Sequence, residues 1–177
     1  MIVKAETYKE YVQRLHELKL PTLGEGAFSS VFRHPELSNV AVKVVRGDDA
    51  YLEFIKFAME NPNNRWLPKV ASFKHVDFGD STNGYLVFTE KLTPIDSSEF
   101  KSFLSQLEEF CGVPANPLSS KLFGPKEWKS LENNVPPDLA TVVKWLNTCG
   151  LGIDLHSDNF MKRGKQIVFN DPVCDDS

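Results

Sequence analysis

The hydrophobic pattern of the chain changes character at Pro94. Before this residue, β-branched and aromatic runs such as residues 40–45 alternate with glycine-rich turns, whereas after it apolar residues recur every three or four positions. Alternation with period two predicts strands, and a period near 3.6 predicts helices. We therefore predict an α+β protein with two lobes. Residues 1–93 would form a lobe around an antiparallel five-stranded sheet, and residues 94–177 would form a smaller helical lobe.

Composition excludes several classes of function. The chain has 177 residues, 41% of them hydrophobic, which is enough for a buried core. Its net charge of −4 argues against general nucleic-acid binding, because neutralising phosphates requires a basic surface. No apolar run approaches the roughly 20 residues of a membrane span, and the N-terminus lacks a signal-peptide core. Cys111, Cys149 and Cys174 have no metal-ligand spacing, so we expect reduced thiols in a cytoplasmic protein. The oligomeric state is not predicted.

The first lobe is predicted to begin with a helix. Thr7 and Glu10 form a capping-box pattern ahead of about three turns of helical spacing, which we expect Pro21 to end. A second helix is expected over residues 50–60, with Leu52, Ile55 and Met59 facing the sheet along with Phe54 or Ala58. Besides a strand that leads into a glycine-rich turn, four strands are predicted: residues 30–33, 40–45, 70–76 and 84–88.

The glycine-rich turn contains Gly24 and Gly26. Two glycines let a backbone approach a phosphate without an intervening Cβ, but the same pattern is typical of an ordinary hairpin turn. A dinucleotide-binding fingerprint is disfavoured, because the third glycine is absent and a strand rather than a helix follows.

Lys43 interrupts an apolar strand. Alternation places it on the face opposite Val42 and Val44. Strand lysines are usually solvated, but the glycine-rich turn lies on the neighbouring strand, so we predict that Lys43 is directed into a cleft. Glu53, preferred over Glu60, is its candidate ion-pair partner, although both acids are also compatible with solvent-facing positions.

The second lobe is predicted to have two long helices, over residues 97–111 and from Pro137 to Gly150. Residues 112–136 are rich in proline and glycine and predict an irregular connection carrying Leu122, Phe123 and Trp128. The second helix has an apolar stripe consisting of Leu139, Val142, Val143, Leu146 and Cys149.

Residues 151–173 follow that helix and hold the most suggestive spacing in the chain. Asp154 precedes Asn159 by five positions, a short hairpin turned by residues 163–165 follows, and Asp171 comes at its end. Phosphoryl transfer needs a carboxylate facing the attacking hydroxyl, and an amide oxygen and a second carboxylate that hold magnesium on the nucleotide. The pattern alone is weak, because Asp and Asn are common in turns.

In their order along the chain, these residues resemble those of the protein-kinase-like superfamily over nearly the full length. The resemblance is strongest to early-expressed serine/threonine protein kinases of podovirus-type bacteriophages. It is carried by Gly24-x-Gly26-x-Phe28-Ser29 with His34-Pro35 after it, by Asp154-x-His156-Ser157-x-Asn159-x-Met161, and by Asn170-Asp171-Pro172-Val173.

The resemblance implies a role for each of these positions. Gly24, Gly26, Ser29 and Val31 would cover the nucleotide, Lys43 would hold its α- and β-phosphates with Glu53 beside it, and Glu90 and Leu92 would offer backbone groups to adenine. Asp154 would orient or deprotonate the hydroxyl, His156 would take the place of the usual catalytic-loop lysine, and Asn159 and Asp171 would hold magnesium. The implied cofactors are ATP and Mg²⁺. The implied partner is a host protein substrate in the bacterial cytoplasm.

Some positions depart from the family pattern. Gly152-Ile153 replace the usual His-Arg, and Pro172-Val173 replace Phe-Gly. No activation segment or peptide-docking helices follow Asp171, which leaves open whether Ser177 is the natural end. Two alternatives therefore stay open. One is a pseudokinase that binds and inhibits a host enzyme, with the acidic residues after Asp171 as a contact. The other is a nucleotidyl or small-molecule transferase on the same fold.

Overall fold

The computed structural model describes residues 7–26, 28–47, 49–78, 83–111, 135–154 and 156–174. The chain divides into two compact units. The first unit comprises Met1–Ile55 with Lys69–Lys91, and the second comprises Lys56–Pro68 with Leu92–Ser177. The architecture is α+β, as predicted. The predicted connection carrying Leu122, Phe123 and Trp128 falls largely on residues 112–134, which lie outside the described residues, as do residues 175–177 of the acidic end.

The first unit is built on a five-stranded antiparallel sheet. Its strands lie in the order β1-β2-β3-β5-β4, and every neighbouring pair is antiparallel, which confirms the prediction. The elements are α1 (Tyr8–Glu17), β1 (Thr22–Glu25), β2 (Ser29–Arg33), β3 (Val40–Arg46), α2 (Asp49–Glu60), β4 (Val70–Asp77) and β5 (Asn83–Glu90).

Helix α1 begins and ends with identifiable caps. The Thr7 hydroxyl oxygen accepts the backbone N–H of Glu10 at 3.1 Å, as the capping box predicts. The helix stops at Glu17, four residues before Pro21. Lys19 takes a left-handed φ of 56°, and its N–H bonds back to the carbonyl of His16. The prediction that Pro21 ends the helix was therefore wrong, because the chain turns before the proline.

One face of the sheet is covered by α1. Tyr11 and Leu15 from the helix are buried against strand residues, and the Phe78 ring meets Tyr11 edge-on with centroids 5.6 Å apart. The strand residues of this core are Phe32, Val42, Val44 and Leu86. Val42 and Val44 thus point towards α1, and alternation directs Lys43 to the other face.

The buried stripe of α2 differs in part from the prediction. Leu52 and Ile55 are buried as expected, but Met59 is 39% exposed. Phe54 and Ala58, which were predicted as alternatives, are both buried, and Tyr51 is buried although it was not predicted to be.

The second unit consists of two longer helices and short strands. Its elements are β6 (Thr93–Pro94), α3 (Ser97–Cys111), α4 (Pro137–Thr148), β7 (Gly152–Ile153), a 3₁₀ turn (Ser157–Asn159), β8 (Phe160–Arg163), β9 (Gln166–Phe169) and β10 (Val173–Cys174). Strands β6, β8 and β9 form one small sheet, and β7 pairs with β10. The bounds of α3 and the β8–β9 hairpin agree with the predictions. Four residues of the predicted stripe of α4 are buried, and Cys149, which follows the last residue of the helix, is half-buried.

An aromatic cluster forms the core beneath the β8–β9 hairpin. The ring of Phe160 lies 5.5 Å from that of Phe103 on α3 and 4.9 Å from that of Phe169 on β9, measured between centroids. These large buried rings stabilise the hairpin, so the residues that precede and follow it start from fixed positions.

No helix in the described part of the chain is long and apolar enough to cross a membrane. Cys149 is a free thiol.

Candidate functional site

Three predicted nucleotide-binding residues lie in one row across the sheet of the first unit. Gly24 on β1 is opposite Val31 on β2, and Val31 is opposite Lys43 on β3. Directly opposed residues of antiparallel strands project to the same face. Gly24, Val31 and Lys43 therefore share the face that α1 does not cover.

A β-bulge places Gly24 on that face. Thr22 pairs with Phe32 while Gly24 pairs with Val31, so Leu23 is an extra residue in β1. Without it, Thr22 and Gly24 would point to the same side of the sheet. Because of it, Gly24 is aligned with Lys43.

The glycine-rich turn is closed by backbone hydrogen bonds. The N–H of Gly26 donates to the Ser29 carbonyl at 2.8 Å, and the Phe28 carbonyl accepts the N–H of Arg46 at 2.8 Å. The tip is thereby joined to the end of β3, while the Phe28 side chain is exposed. A Cβ added to Gly24 would meet nothing within 4 Å, and neither Gly24 nor Gly26 has a positive φ. No described residue would collide with a side chain at position 24, so packing does not require glycine there. Because Gly24 has no side chain, the space above the strand is open.

Lys43 is buried, with 7% of its surface exposed. Its Nζ lies 3.5 Å from the centroid of the Tyr51 ring, and Tyr51 is itself 2% exposed. The structure therefore excludes a solvated strand lysine. Glu53 is exposed on α2, and its pairing with Lys43 stays a prediction. Sequence reasoning missed Tyr51, although its spacing from Phe54 and Ile55 is that of a buried helical stripe.

Glu90 ends β5 and fastens the start of β4. Its N–H donates to the Lys69 carbonyl at 2.9 Å, and its carboxylate accepts the N–H of Lys69 at 2.8 Å. The carbonyl oxygen of Glu90 accepts the Thr89 hydroxyl at 3.2 Å, and a carbonyl can accept two hydrogen bonds. The N–H of Glu90 is thus already used within the sheet, and the contact of Glu90 with adenine stays a prediction. Leu92, the other predicted adenine contact, is half-buried and opens the second unit.

In the second unit, Asp154, His156 and Asn159 converge. The Asn159 Nδ2 donates to the Asp154 carbonyl at 2.8 Å and lies 3.2 Å from Nε2 of His156. The same Nε2 lies 3.3 Å from Oδ2 of Asp154. These last two contacts are alternatives as hydrogen bonds. Nε2 accepts from Asn159 when it carries a lone pair, and it donates to Asp154 when it carries a proton.

Backbone hydrogen bonds join this loop to the segment of Asp171. The Asn159 carbonyl accepts the N–H groups of Asn170 at 2.9 Å and Asp171 at 3.3 Å, and the N–H of Asp154 donates to the Pro172 carbonyl at 2.9 Å. The chain thus brings together the four predicted residues of the second unit. Lys43 belongs to the first unit, and convergence of all five on one triphosphate stays a prediction.

The amide of Asn159 is oriented in a way that suits a metal ligand. Its Nδ2 donates to the Asp154 carbonyl, and its Oδ1 accepts no hydrogen bond from any described residue. Within the described ranges, no three His, Cys, Asp or Glu side chains cluster as metal ligands. Mg²⁺ is typically held by one or two protein carboxylates, substrate phosphates and water. Asn159 and Asp171 fit that donor set, with the nucleotide supplying the remaining oxygens.

Long-range contacts hold the hairpin that carries the site. The Arg163 guanidinium donates to the carbonyls of Arg65 at 3.2 Å and Leu67 at 2.9 Å, and the N–H of Phe169 donates to the Trp66 carbonyl at 2.9 Å. No local sequence signal marked these partners, because they lie about a hundred positions away along the chain.

No family model matches the chain, and no curated protein matches it significantly. Among solved structures, the chain is similar to an amicoumacin kinase, hAmiN, in complex with AMP-PNP, Ca²⁺ and Ami, at 14% identity and a TM-score of 0.45. That match covers 94% of this chain and 65% of the kinase, so the chain spans less than two thirds of its length. It is also similar to a thermostable mutant of aminoglycoside phosphotransferase APH(4)-Ia, apo form, at 14% identity and a TM-score of 0.43, covering 89% of this chain and 68% of that one. At these levels of similarity, the role of each residue has to come from the chain's own geometry.

Proposed function

We propose that the chain binds ATP with Mg²⁺ and transfers the terminal phosphoryl group to a serine or threonine hydroxyl of a host protein. The observation that carries the proposal is the network of Asp154, His156 and Asn159, tied by backbone hydrogen bonds to Asp171. Phosphoryl transfer is catalysed mainly by positioning and by neutralising charge, and a fixed loop of carboxylates and an amide supplies both.

Each residue has a distinct task in the proposed reaction. Asp154, whose side chain is 44% exposed, orients the acceptor hydroxyl and receives its proton. His156 contacts this carboxylate through Nε2 and restrains its orientation. Asn159 Oδ1 and the Asp171 carboxylate would hold Mg²⁺, which supplies charge neutralisation on the phosphates.

The first unit would bind the nucleotide. Lys43 offers a buried ammonium to the phosphates, and Gly24, in the same row, leaves space for them. A phosphate oxygen bonded to a desolvated ammonium gains more than one bonded in bulk water, because the local dielectric is lower.

A small-molecule hydroxyl is the second candidate acceptor. The observation that favours it is His156. This histidine stands where the resembling protein kinases have their catalytic-loop lysine, as it does in small-molecule and atypical kinases. Mass analysis of the phosphorylated product separates the two acceptors. A phosphopeptide from a bacterial lysate supports the protein acceptor, and a phosphorylated metabolite supports the other.

The test compares Asp154→Ala with the matched variant Asp158→Asn. Asp158 is exposed in the same turn, and its carboxylate lies 3.9 Å from Nδ1 of His156, not at Nε2, which is the nitrogen that contacts Asp154 and Asn159. We expect Asp154→Ala to lower transfer from γ-labelled ATP by about 10²- to 10⁴-fold while nucleotide binding persists, and Asp158→Asn to keep the parent rate. Transfer by Asp154→Ala at the parent rate would refute the assigned chemistry. Parent protein that binds ATP, transfers nothing and captures a stoichiometric host enzyme would support the pseudokinase alternative.

A further inference from the structure

The contact between Lys43 and Tyr51 joins the middle of the sheet to the beginning of α2. The ammonium nitrogen lies 3.5 Å from the ring centroid, over the face of the ring, and both side chains are almost fully buried. Lys43 and Ser30 are the two buried polar residues in the described part of the chain. Among charged side chains there, Lys43 is thus exceptional in its burial.

Burying an ammonium removes most of its hydration, which is unfavourable unless another group compensates. The negative face of an aromatic ring compensates in part, and the attraction grows as water is excluded. A ring differs from a carboxylate in one respect that matters for anion binding. It stabilises the cation without adding a negative charge that would oppose the binding of a phosphate.

We propose that Tyr51 is a positioning residue that holds the Lys43 ammonium in place for contact with phosphate oxygens. The proposal rests on the nucleotide-binding part of the proposed function. The ring attracts the ammonium from one side, so it can hold the side chain in place while a phosphate binds. Tyr51 also lies on the same helix as Glu53. Its contact with Lys43 therefore fixes the beginning of α2 against β3.

The experiment measures the dissociation constants of AMP-PNP with Mg²⁺, and of inorganic tripolyphosphate, by calorimetry on the full chain. Tyr51→Leu removes the ring and keeps an apolar side chain, and we expect about 5- to 30-fold weaker binding of both ligands. Tyr51→Phe keeps the ring, and we expect binding within about twofold of the parent. In turnover assays, Tyr51→Leu should raise KM for ATP and leave kcat nearly unchanged.

Tyr11→Leu is the matched control. Tyr11 is also 2% exposed in the first unit, but it packs against Phe78 on the α1 side of the sheet. The Tyr11→Leu variant should have a lower melting temperature than the parent, with unchanged dissociation constants for AMP-PNP and for tripolyphosphate. If Tyr51→Leu does not fold, Tyr51→Met replaces it with the same expected result.

Three results would overturn the proposal. The first is binding by the folded Tyr51→Leu or Tyr51→Met variant within twofold of the parent. The second is tighter binding, which would mean that the ring competes with phosphate for the amine. The third is equal loss in Tyr51→Phe and Tyr51→Leu, which would assign the effect to the hydroxyl. Lys43→Ala separates this proposal from the proposed function. If Lys43→Ala binds nucleotide normally, the proposed nucleotide site fails; if it loses binding while Tyr51→Leu does not, only the role of Tyr51 fails.

Discussion

Adding the same methyl group at Gly24 and at Gly84 should have opposite consequences. At Gly84 on β5, a Cβ would collide with the Phe78 ring and with the backbone carbonyl of Val45. The ring is fully buried and the carbonyl belongs to the neighbouring strand, so neither can move without disturbing the core. At Gly24 the same atom would meet nothing within 4 Å.

The magnitudes follow from these surroundings. Overpacking a core destabilises by about 1–3 kcal/mol, backbone shifts included, and occasionally by more. Because the collision at Gly84 involves both a buried ring and a backbone carbonyl, we expect Gly84→Ala to lose about 3 kcal/mol. This loss lowers the melting temperature of a chain this long by about 6–12 °C. Gly24→Ala should be neutral or stabilising by up to about 1 kcal/mol, because alanine loses less conformational entropy in a strand. The new methyl of Gly24→Ala projects from the face that carries Lys43, so nucleotide binding should weaken about tenfold.

Thermal unfolding followed by circular dichroism, together with calorimetric binding of AMP-PNP and Mg²⁺, tests the pair. The parent chain is the reference for both measurements. Gly24→Ala protein that melts as early as Gly84→Ala would show that the open space above β1 is not real. Gly24→Ala protein that is stable and binds nucleotide as tightly as the parent would refute a role for this glycine in phosphate approach.

Two further predictions concern the second unit. Hydrogen bonds from the Ser98 hydroxyl and from backbone N–H groups at the start of α3 lower the pKa of Asp96 from 3.8 to about 2. The stabilisation from Asp96 is therefore complete above the unfolded-state pKa and is lost as pH falls from 3.8 through about 2. In Asp96→Asn the amide oxygen keeps the cap, so unfolding measured across this range should lose that part of its pH dependence; an unchanged pH profile would contradict the assignment. For the metal, we expect no Mg²⁺ binding at about 1 mM without nucleotide, since the protein supplies few ligands. Asn159→Ala should raise the Mg²⁺ concentration that gives half-maximal turnover, whereas Asp158→Asn should not; equal Mg²⁺ requirements in both variants would remove Asn159 from the metal site.

Local patterns predicted most of the secondary structure. The bounds of α3, the stripe of α4 and the β8–β9 hairpin all follow from spacing, because helices and strands repeat their buried positions at fixed intervals. Asp154 and Asn159 were equally accessible to sequence reasoning, since they lie within one loop. Their contact needs only a 3₁₀ turn to form.

Predictions that depend on distant partners were less complete. Met59 was expected to face the sheet and is exposed, whereas Tyr51 was not expected in the buried stripe and is buried. Gly84 was predicted as the first residue of a strand and lies in β5, but the sequence did not indicate that it leaves room for the Phe78 ring. In both cases the contact that decides burial comes from another part of the chain: Lys43 contacts Tyr51, and Phe78 and Val45 lie against Gly84.

The amino-acid sequence by itself determined which segments are strands, which are helices, and that a lysine would interrupt an apolar strand. Only the tertiary structure decided that Gly24, Val31 and Lys43 form one row and that the ammonium rests on Tyr51. The physical reason is that a strand's alternation specifies two faces but not their partners. The register in which the strands pair specifies those partners. The single extra residue Leu23 changes this register and moves Gly24 from one face of the sheet to the other.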